Sequence, residues 1–371
     1  MNIAILNYHR IGGSGIIAYE IGRSMAEDRG HIVHFVGLEP PFRLHYRYSD
    51  RMRHHKIAVK EYPVFDYQPY TLALASQLSE LITEQNIDVI HSHYALPYAI
   101  AAQLAREISG RNVRSVTTLH GTDITVVGAH PTMKNITEFG INISDRVTAV
   151  SDYLKNETVK TFGIAPEKIK RIYNFINPEW FHPEIEGAKG LNCKDKCIII
   201  HVSNMRPVKA PLDAIRIFHR LLSKTKKELE LWIVGEGPMI SEMTSLVREY
   251  ELEKKVRFLG VCSDIGELLV RSKLFLLPSQ SESFGLVALE AMACGVPVVA
   301  AGTGGIPEVI EDGESGSLFT FGDIETAACK GAELLNDDLH YMRIRENGLE
   351  TIRTKFDMNT IISEYEKLYM D

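Results

Sequence analysis

Two glutamates flanking seven residues, in the run Glu282-Ser-Phe-Gly-Leu-Val-Ala-Leu-Glu290, carry the strongest chemical signal in the chain. An apolar strand-like run, Phe275 to Ser279, precedes them, and MACGVPVVA follows. A helix starting near Phe284 puts Glu282 in the loop before it and Glu290 about two turns in. The amides of Ser283, Phe284 and Gly285 are then helix-start donors, suited to an anion or a sugar hydroxyl. Ionised carboxylates only accept hydrogen bonds, which suits the many hydroxyl donors of a sugar and a ribose. In isolation such a pair is an ordinary acidic surface helix. The preceding strand, the serines and Gly285 make the pattern more specific.

Further groups of the same kind recur at strand ends. In Val202-Ser-Asn-Met-Arg206-Pro-Val-Lys209 two cations three residues apart follow an apolar run, placed to neutralise a leaving diphosphate. Cations at a helix start oppose its dipole, which favours an anion partner over a merely solvated pair. In Ala301-Gly-Thr-Gly-Gly-Ile-Pro-Glu308 the glycines read equally as a diphosphate cradle or a plain strand-to-helix turn. His120, in TTLHGTD, sits between a strand and a glycine and points toward a ligand cleft; a hydrogen-bonded structural histidine is its bland alternative. His91-Ser-His93-Tyr94 places two rings on one face of a strand, but no carboxylate companion is evident and no metal is expected there.

Near the N-terminus, Gly13-x-Gly15-x-x-Ala18 satisfies a relaxed dinucleotide fingerprint, with Glu39 where an acidic ribose partner would stand. Taken alone it suggests an NAD-dependent dehydrogenase, a reading that leaves the motifs of the second half unexplained. A basic run follows, with Arg43, Arg47, Arg51, Arg53, Lys56 and Lys60 among three histidines. Its default is a solvated face, with Arg43 the exception because apolar residues flank it.

The elements that must position these groups alternate. The first half reads as strands Asn2–Asn7, His31–Val36, Asp88–His91, Arg114–Leu119 and Arg146–Val150, with helices Ile16–Asp28, Leu72–Gln85 and Tyr98–Ile108 between them. A change of texture at RIYNFINPEWFHP marks a hinge. The rhythm then restarts: strands Cys197–Val202, Leu229–Val234, Val256–Leu259, Leu274–Leu277 and Val296–Ala300 alternate with helices Leu212–Ser223, Ile240–Tyr250, Ile265–Arg271 and Phe284–Ala293, and helices fill the rest. The pattern predicts an α/β protein of two doubly wound, Rossmann-like domains facing across a cleft. Their expected bounds are 1–173 with a crossover helix 357–371, and 174–356.

Composition excludes other classes. The 371 residues suit two domains, and a net charge of -7 argues against general nucleic-acid binding. No apolar run reaches the length of a membrane span, and the N-terminus enters a strand without a basic leader, so the cytoplasm is expected. The five cysteines are dispersed and read as reduced thiols.

Together the GGSG loop, the TLHGTD histidine, VTAVS, YNFIN, Arg206 with Lys209, ESFGLVALE and GGIPEV resemble the retaining GT-B glycosyltransferases that use nucleotide sugars. Many members space the arginine and lysine by five residues; here the spacing is three. The stretches PFRLHYRYSD, YTLALASQL, HSHYALPYAI and TTLHGTDITVVG narrow the resemblance to members that move N-acetylglucosamine from UDP-GlcNAc to the hydroxyl of L-malate, giving GlcNAc-α-malate, the first step of bacillithiol synthesis.

The resemblance implies that Glu282 holds the donor sugar with Ser283, Phe284 and Gly285, and that Glu290 holds the ribose. Arg206 and Lys209 would stabilise the diphosphate, with Asn204 beside them. His120 would contact the sugar near the reacting centre, and the backbone near Val261 would pair with uracil. Gly13 and Gly15 would let their loop approach the diphosphate, leaving Glu39 no ribose role. Ser14, Arg43 and Tyr94 would take the acceptor. No metal or cofactor is implied, UDP-GlcNAc being a substrate. A homodimer is a family-level expectation, and no stable membrane association is expected. The remaining alternatives are a UDP-sugar glycosyltransferase with an inositol phosphate or lipid acceptor, and a UDP-sugar-binding regulator without turnover.

Overall fold

Every strand pairing observed is parallel, as alternating strands and helices require. The structure is a computed structural model and describes residues 1–7, 12–41, 44, 49–60, 63–64, 66–186 and 196–371. It comprises two compact units, Met1–Asn174 with Asn359–Asp371, and Phe175–Met358.

The first unit runs β1 (Asn2–Leu6), α1 (Gly13–Glu27), β2 (Ile32–Gly37), β3 (Met52–Lys56), α2 (Tyr70–Glu84), β4 (Val89–His93), α3 (Ile100–Ser109), β5 (Arg114–Leu119), α4 (Lys134–Ile143), β6 (Arg146–Ala149), α5 (Asp152–Phe162) and β7 (Ile169–Arg171). Its sheet has the order β3-β2-β1-β4-β5-β6-β7. The second runs β8 (Cys197–Val202), α6 (Pro211–Leu222), β9 (Leu229–Val234), α7 (Ile240–Glu249), β10 (Val256–Gly260), α8 (Gly266–Leu269), β11 (Leu274–Leu277), α9 (Leu286–Ala293), β12 (Val298–Ala301), α10 (Ile306–Val309), β13 (Ser317–Phe319), α11 (Ile324–Asn336) and α12 (Asp338–Lys355). Its order is β10-β9-β8-β11-β12-β13. The last helix, α13 (Met358–Met370), packs on the first unit, where Tyr365 and Tyr369 are fully buried.

Both sheets are doubly wound, so the two Rossmann-like domains expected from the sequence are both present. Their central strands are covered on both faces and are accordingly continuous apolar runs, such as Ile198-Ile-Ile200 and Leu274-Phe-Leu-Leu277. In each sheet the order reverses between two neighbours: β1 and β4 in the first, β8 and β11 in the second. Loops leaving the carboxyl ends of such strands diverge to opposite faces and open a crevice, which is where ligands of this fold class bind.

Several elements differ from the sequence expectation. β3 forms inside the basic run, where no strand was expected, as an edge strand whose Arg53 and Lys56 remain exposed. β13 lies where only helices were expected. α1 starts at Gly13, three residues earlier than the apolar pattern indicated, because its first turn consists of the glycine loop itself. α9 starts at Leu286, because Gly285 adopts a left-handed φ of 95° that ends the preceding loop. No helix among the described residues is long and apolar enough to cross a membrane.

Candidate active site

In the second unit the chemistry collects at the reversal between β8 and β11. β8 ends at Val202, and Ser203 to Arg206 lead into a single tight turn, Pro207–Lys209. Proline at its first position loses no hydrogen bond and presets the backbone. Arg206 and Asn204 are exposed on this loop. Lys209 is turned toward the neighbouring strand's loop, where its ammonium donates to Glu282 Oε1 at 2.8 Å. The two side chains retain 24% and 9% exposure, so the pair is largely withdrawn from water yet reachable. The Gln280 amide donates to the Val208 carbonyl at 2.9 Å and ties the same loops through their backbones.

A third loop holds Glu282 from behind. Gly304 has a φ of 58°, and a Cβ there would lie 2.0 Å from the Glu282 carbonyl oxygen. A Cβ on Gly305 would lie 2.5 Å from that of Ser283. The Gly305 amide donates to the Glu282 carbonyl at 2.8 Å, and the Thr303 hydroxyl donates to the Ser279 carbonyl at 2.9 Å. These glycines allow one loop backbone to pack directly on another. A further correction concerns the amides. With α9 starting at Leu286 and capped by Gly285, its helix-start donors belong to Gly285, Leu286 and Val287, while Ser283 and Phe284 lie in the loop before it. The Phe284 ring is buried edge-on against Phe356, with centroids 5.7 Å apart. Glu290 is buried in the second turn of α9. Val261 is exposed just beyond β10.

Beneath this loop lies a histidine that sequence reasoning missed. His201 Nδ1 donates to the Leu276 carbonyl at 2.9 Å, bonding β8 to β11, which leaves Nε2 to accept from the Ser203 hydroxyl at 2.9 Å. Burial lowers its pKa to about 4, so the ring stays neutral and keeps that bonding pattern.

In the first unit the reversal lies between β1 and β4, and the groups at its carboxyl end come from α1, β4 and β5. Gly13 is exposed and Gly15 half-buried in the first turn of α1. Between them, the Ser14 hydroxyl lies 2.6 Å from that of Tyr94. Tyr94 follows β4 with a φ of 95°, a conformation strained for a side chain with a Cβ and characteristic of functional loops. Its ring meets that of His120 edge-on at 5.1 Å. Thus Ser14 and Tyr94, expected together at the acceptor, and His120, expected at the donor sugar, form one contiguous group. Arg43 lies outside the described residues. Glu39 pairs with Lys56 at 2.9 Å, in keeping with its having no ribose role.

His120 is anchored twice. Its amide and that of Gly121 donate to Asp123 Oδ1 at 3.2 and 2.9 Å, while the Ala95 amide donates to Oδ2 at 3.1 Å. Burial pushes the Asp123 carboxyl up to about 6 despite these donors, which favour the charged form. Its ring is bonded to His93, 2.9 Å from Nε2 to Nδ1. His91 lies behind, its ring centroid 4.2 Å from that of His93, with Tyr369 and Thr118 each 2.7 Å from its nitrogens. Asp123 and His93 went unassigned in the sequence, although TTLHGTD and HSHY contain them. Strand alternation showed that both β4 histidines share a face; it does not show which β5 side chain meets them.

Comparison with known proteins follows the same division. A family model described as glycosyl transferases group 1 matches residues 184–351, and one described as glycosyltransferase family 4 matches residues 11–180. The chain is 42% identical to N-acetyl-alpha-D-glucosaminyl L-malate synthase of Bacillus anthracis, covering 100% of this chain and 97% of that protein. It is 30% identical to D-inositol 3-phosphate glycosyltransferase 2 of Catenulispora acidiphila, over 71% of this chain and 66% of that one. Among solved structures, Anabaena Alr3699/HepE in complex with UDP-glucose superposes with a TM-score of 0.82 at 22% identity, each chain covered in full.

Proposed function

The chain belongs to the group 1 glycosyl transferases, and we propose that it transfers N-acetylglucosamine from UDP-GlcNAc to the hydroxyl of L-malate, giving GlcNAc-α-malate. The observation that carries this reading is the full-length 42% identity to a protein named for that product, together with the Lys209–Glu282 pair at a strand-order reversal. An ammonium and a carboxylate 2.8 Å apart offer an anion and a polyol what each needs. A diphosphate would draw Lys209, with exposed Arg206 as the second cation, and the freed Glu282 would accept from sugar hydroxyls. Glu290, on the helix that follows, is assigned to the ribose.

On this reading the reaction retains configuration. The diphosphate leaves, an oxocarbenium-like sugar forms, and the malate hydroxyl enters on the face just vacated. The departing phosphate oxygen takes its proton. Catalysis is then mostly positioning and charge stabilisation, so Glu282 and Glu290 act as binders rather than as a hydrolase acid and nucleophile. The cationic role falls to Arg206 and Lys209, and no metal is invoked. Ser14 and Tyr94 are assigned to the acceptor and His120 to the donor sugar. We take the enzyme to work in the cytoplasm without stable membrane association.

The test is incubation with UDP-GlcNAc and a panel of hydroxy acids, reading UDP release and product mass. Malate-dependent release with a product of the mass of GlcNAc-malate supports the proposal. Release that does not depend on malate, or no turnover with it, defeats it.

A further inference from the structure

We propose that His93 is a positioning residue that holds His120 in the Nδ1–H form, so that His120 presents a hydrogen-bond donor to its ligand and not a base. The argument is one of proton count, and its application to turnover rests on the function proposed above. His93 is fully buried at the end of β4, and His120 follows β5. Their rings lie within 22° of parallel, centroids 5.1 Å apart, with His93 Nδ1 and His120 Nε2 separated by 2.9 Å. That is a hydrogen bond between two imidazoles, and one of them must supply its proton. Burial holds both rings neutral: His120 is lowered to about 3 and His93 well below its ordinary value. Each ring therefore has one proton to place.

Two arrangements exist. If His120 donated from Nε2, the His93 proton would be forced onto Nε2, an atom buried with no hydrogen-bond partner among the described residues. An orphaned buried N–H is among the rarest features of folded proteins, and an unfilled acceptor is more readily tolerated. If His93 donates from Nδ1 instead, its Nε2 is a bare lone pair and no donor is stranded. His120 then accepts at Nε2 and must carry its own proton on Nδ1, the nitrogen that no side chain takes among the described residues. The backbone of His120 is fixed independently by Asp123, so the ring is aimed by one partner and its tautomer set by another. A neutral Nδ1–H suits a sugar hydroxyl oxygen or a phosphate oxygen, both acceptors. It also excludes proton abstraction at that nitrogen, in agreement with a mechanism whose base is the leaving phosphate.

The direct test is the nitrogen spectrum of imidazole-15N-labelled enzyme, with His120 assigned by comparison with His120→Asn. We expect a pyrrole-type Nδ1 and a pyridine-type Nε2 on His120. The opposite pattern overturns the inference, whatever the substrates are. His93→Phe removes the donor, and kcat is expected to fall about tenfold with little change in the donor KM, since a misdirected ring costs orientation more than ground-state binding. His93→Asn keeps an N–H near the Nδ1 position and is expected to recover most of that loss. Unchanged kcat in His93→Phe would contradict the proposal. A wild-type enzyme that shows the expected tautomer yet never turns over malate would count against the proposed function and not against this assignment.

Discussion

At the scale of single residues, the two cations of the β8 loop are placed differently. Lys209 is already bonded to Glu282, whereas Arg206 stands exposed. Arg206→Ala is therefore expected to lower turnover by roughly 10²-fold, the usual effect of removing one charge-stabilising donor. Affinity for UDP-GlcNAc should fall much less; steady-state kinetics with isothermal titration separate the two. Glu290→Ala should instead weaken donor binding. An Arg206→Ala enzyme with unchanged turnover removes that residue from the mechanism. These residues were legible because charge following an apolar run is visible in one dimension. The Lys209–Glu282 bond was not, because the partners are 73 positions apart and meet only once β8 and β11 are neighbours. The His93–His120 and Ser14–Tyr94 contacts escaped for the same reason.

At the scale of elements, the loop that carries Glu282 depends on the loop behind it. Gly304→Ala would place a methyl 2.0 Å from the Glu282 carbonyl oxygen at a positive φ, so the ESFG loop must move. A loss of about 1–3 kcal/mol is expected, with weaker donor binding even though no ligand-contacting side chain is changed. Thermal unfolding and UDP titration of the variant check this; unaltered UDP affinity would mean that the loop tolerates displacement. Central strands were the most legible elements. β5, β8, β9 and β11 have the bounds that their apolar runs indicated, because burial on both faces leaves an unbroken signal. β3, β7 and β13 were missed, being edge strands of five, three and three residues, the first carrying the sequence MRHHK. The start of α9 shifted because a left-handed Gly285 decides where it begins, and that of α1 because its first turn is the glycine loop and not the apolar run.

At the scale of the whole molecule, four buried histidines and the half-buried His120, among the described residues, set the response to acid. His34 and His201 are lowered to about 4, His91 and His120 to about 3, and His93 well below its ordinary value, in each case chiefly by burial. Below about pH 6.5 the unfolded chain binds protons that the folded one refuses, so stability is complete above that pH and falls as pH drops toward 4. Each such histidine adds a slope of up to about 1.4 kcal/mol per pH unit. Asp123, raised to about 6, acts with the opposite sign in the same window but is a single group. The unfolding midpoint should therefore fall steadily between pH 6.5 and 4.5, and a flat profile would show that these rings take up protons without unfolding. Fold class was readable because the βα rhythm extends through nearly the whole chain. Acceptor identity was readable only through the resemblance, since it depends on a few loop side chains whose meeting no periodicity encodes.

A lipid acceptor is the alternative that the basic run keeps in view, and flotation with anionic liposomes separates it from malate; the enzyme is expected to stay with the unbound fraction. The central claim is met most directly by mixing purified enzyme with UDP-GlcNAc, with and without L-malate, and weighing the product. The account predicts UDP release only when malate is present, with equimolar GlcNAc-malate. Equal release without malate, or none with it, would contradict the account.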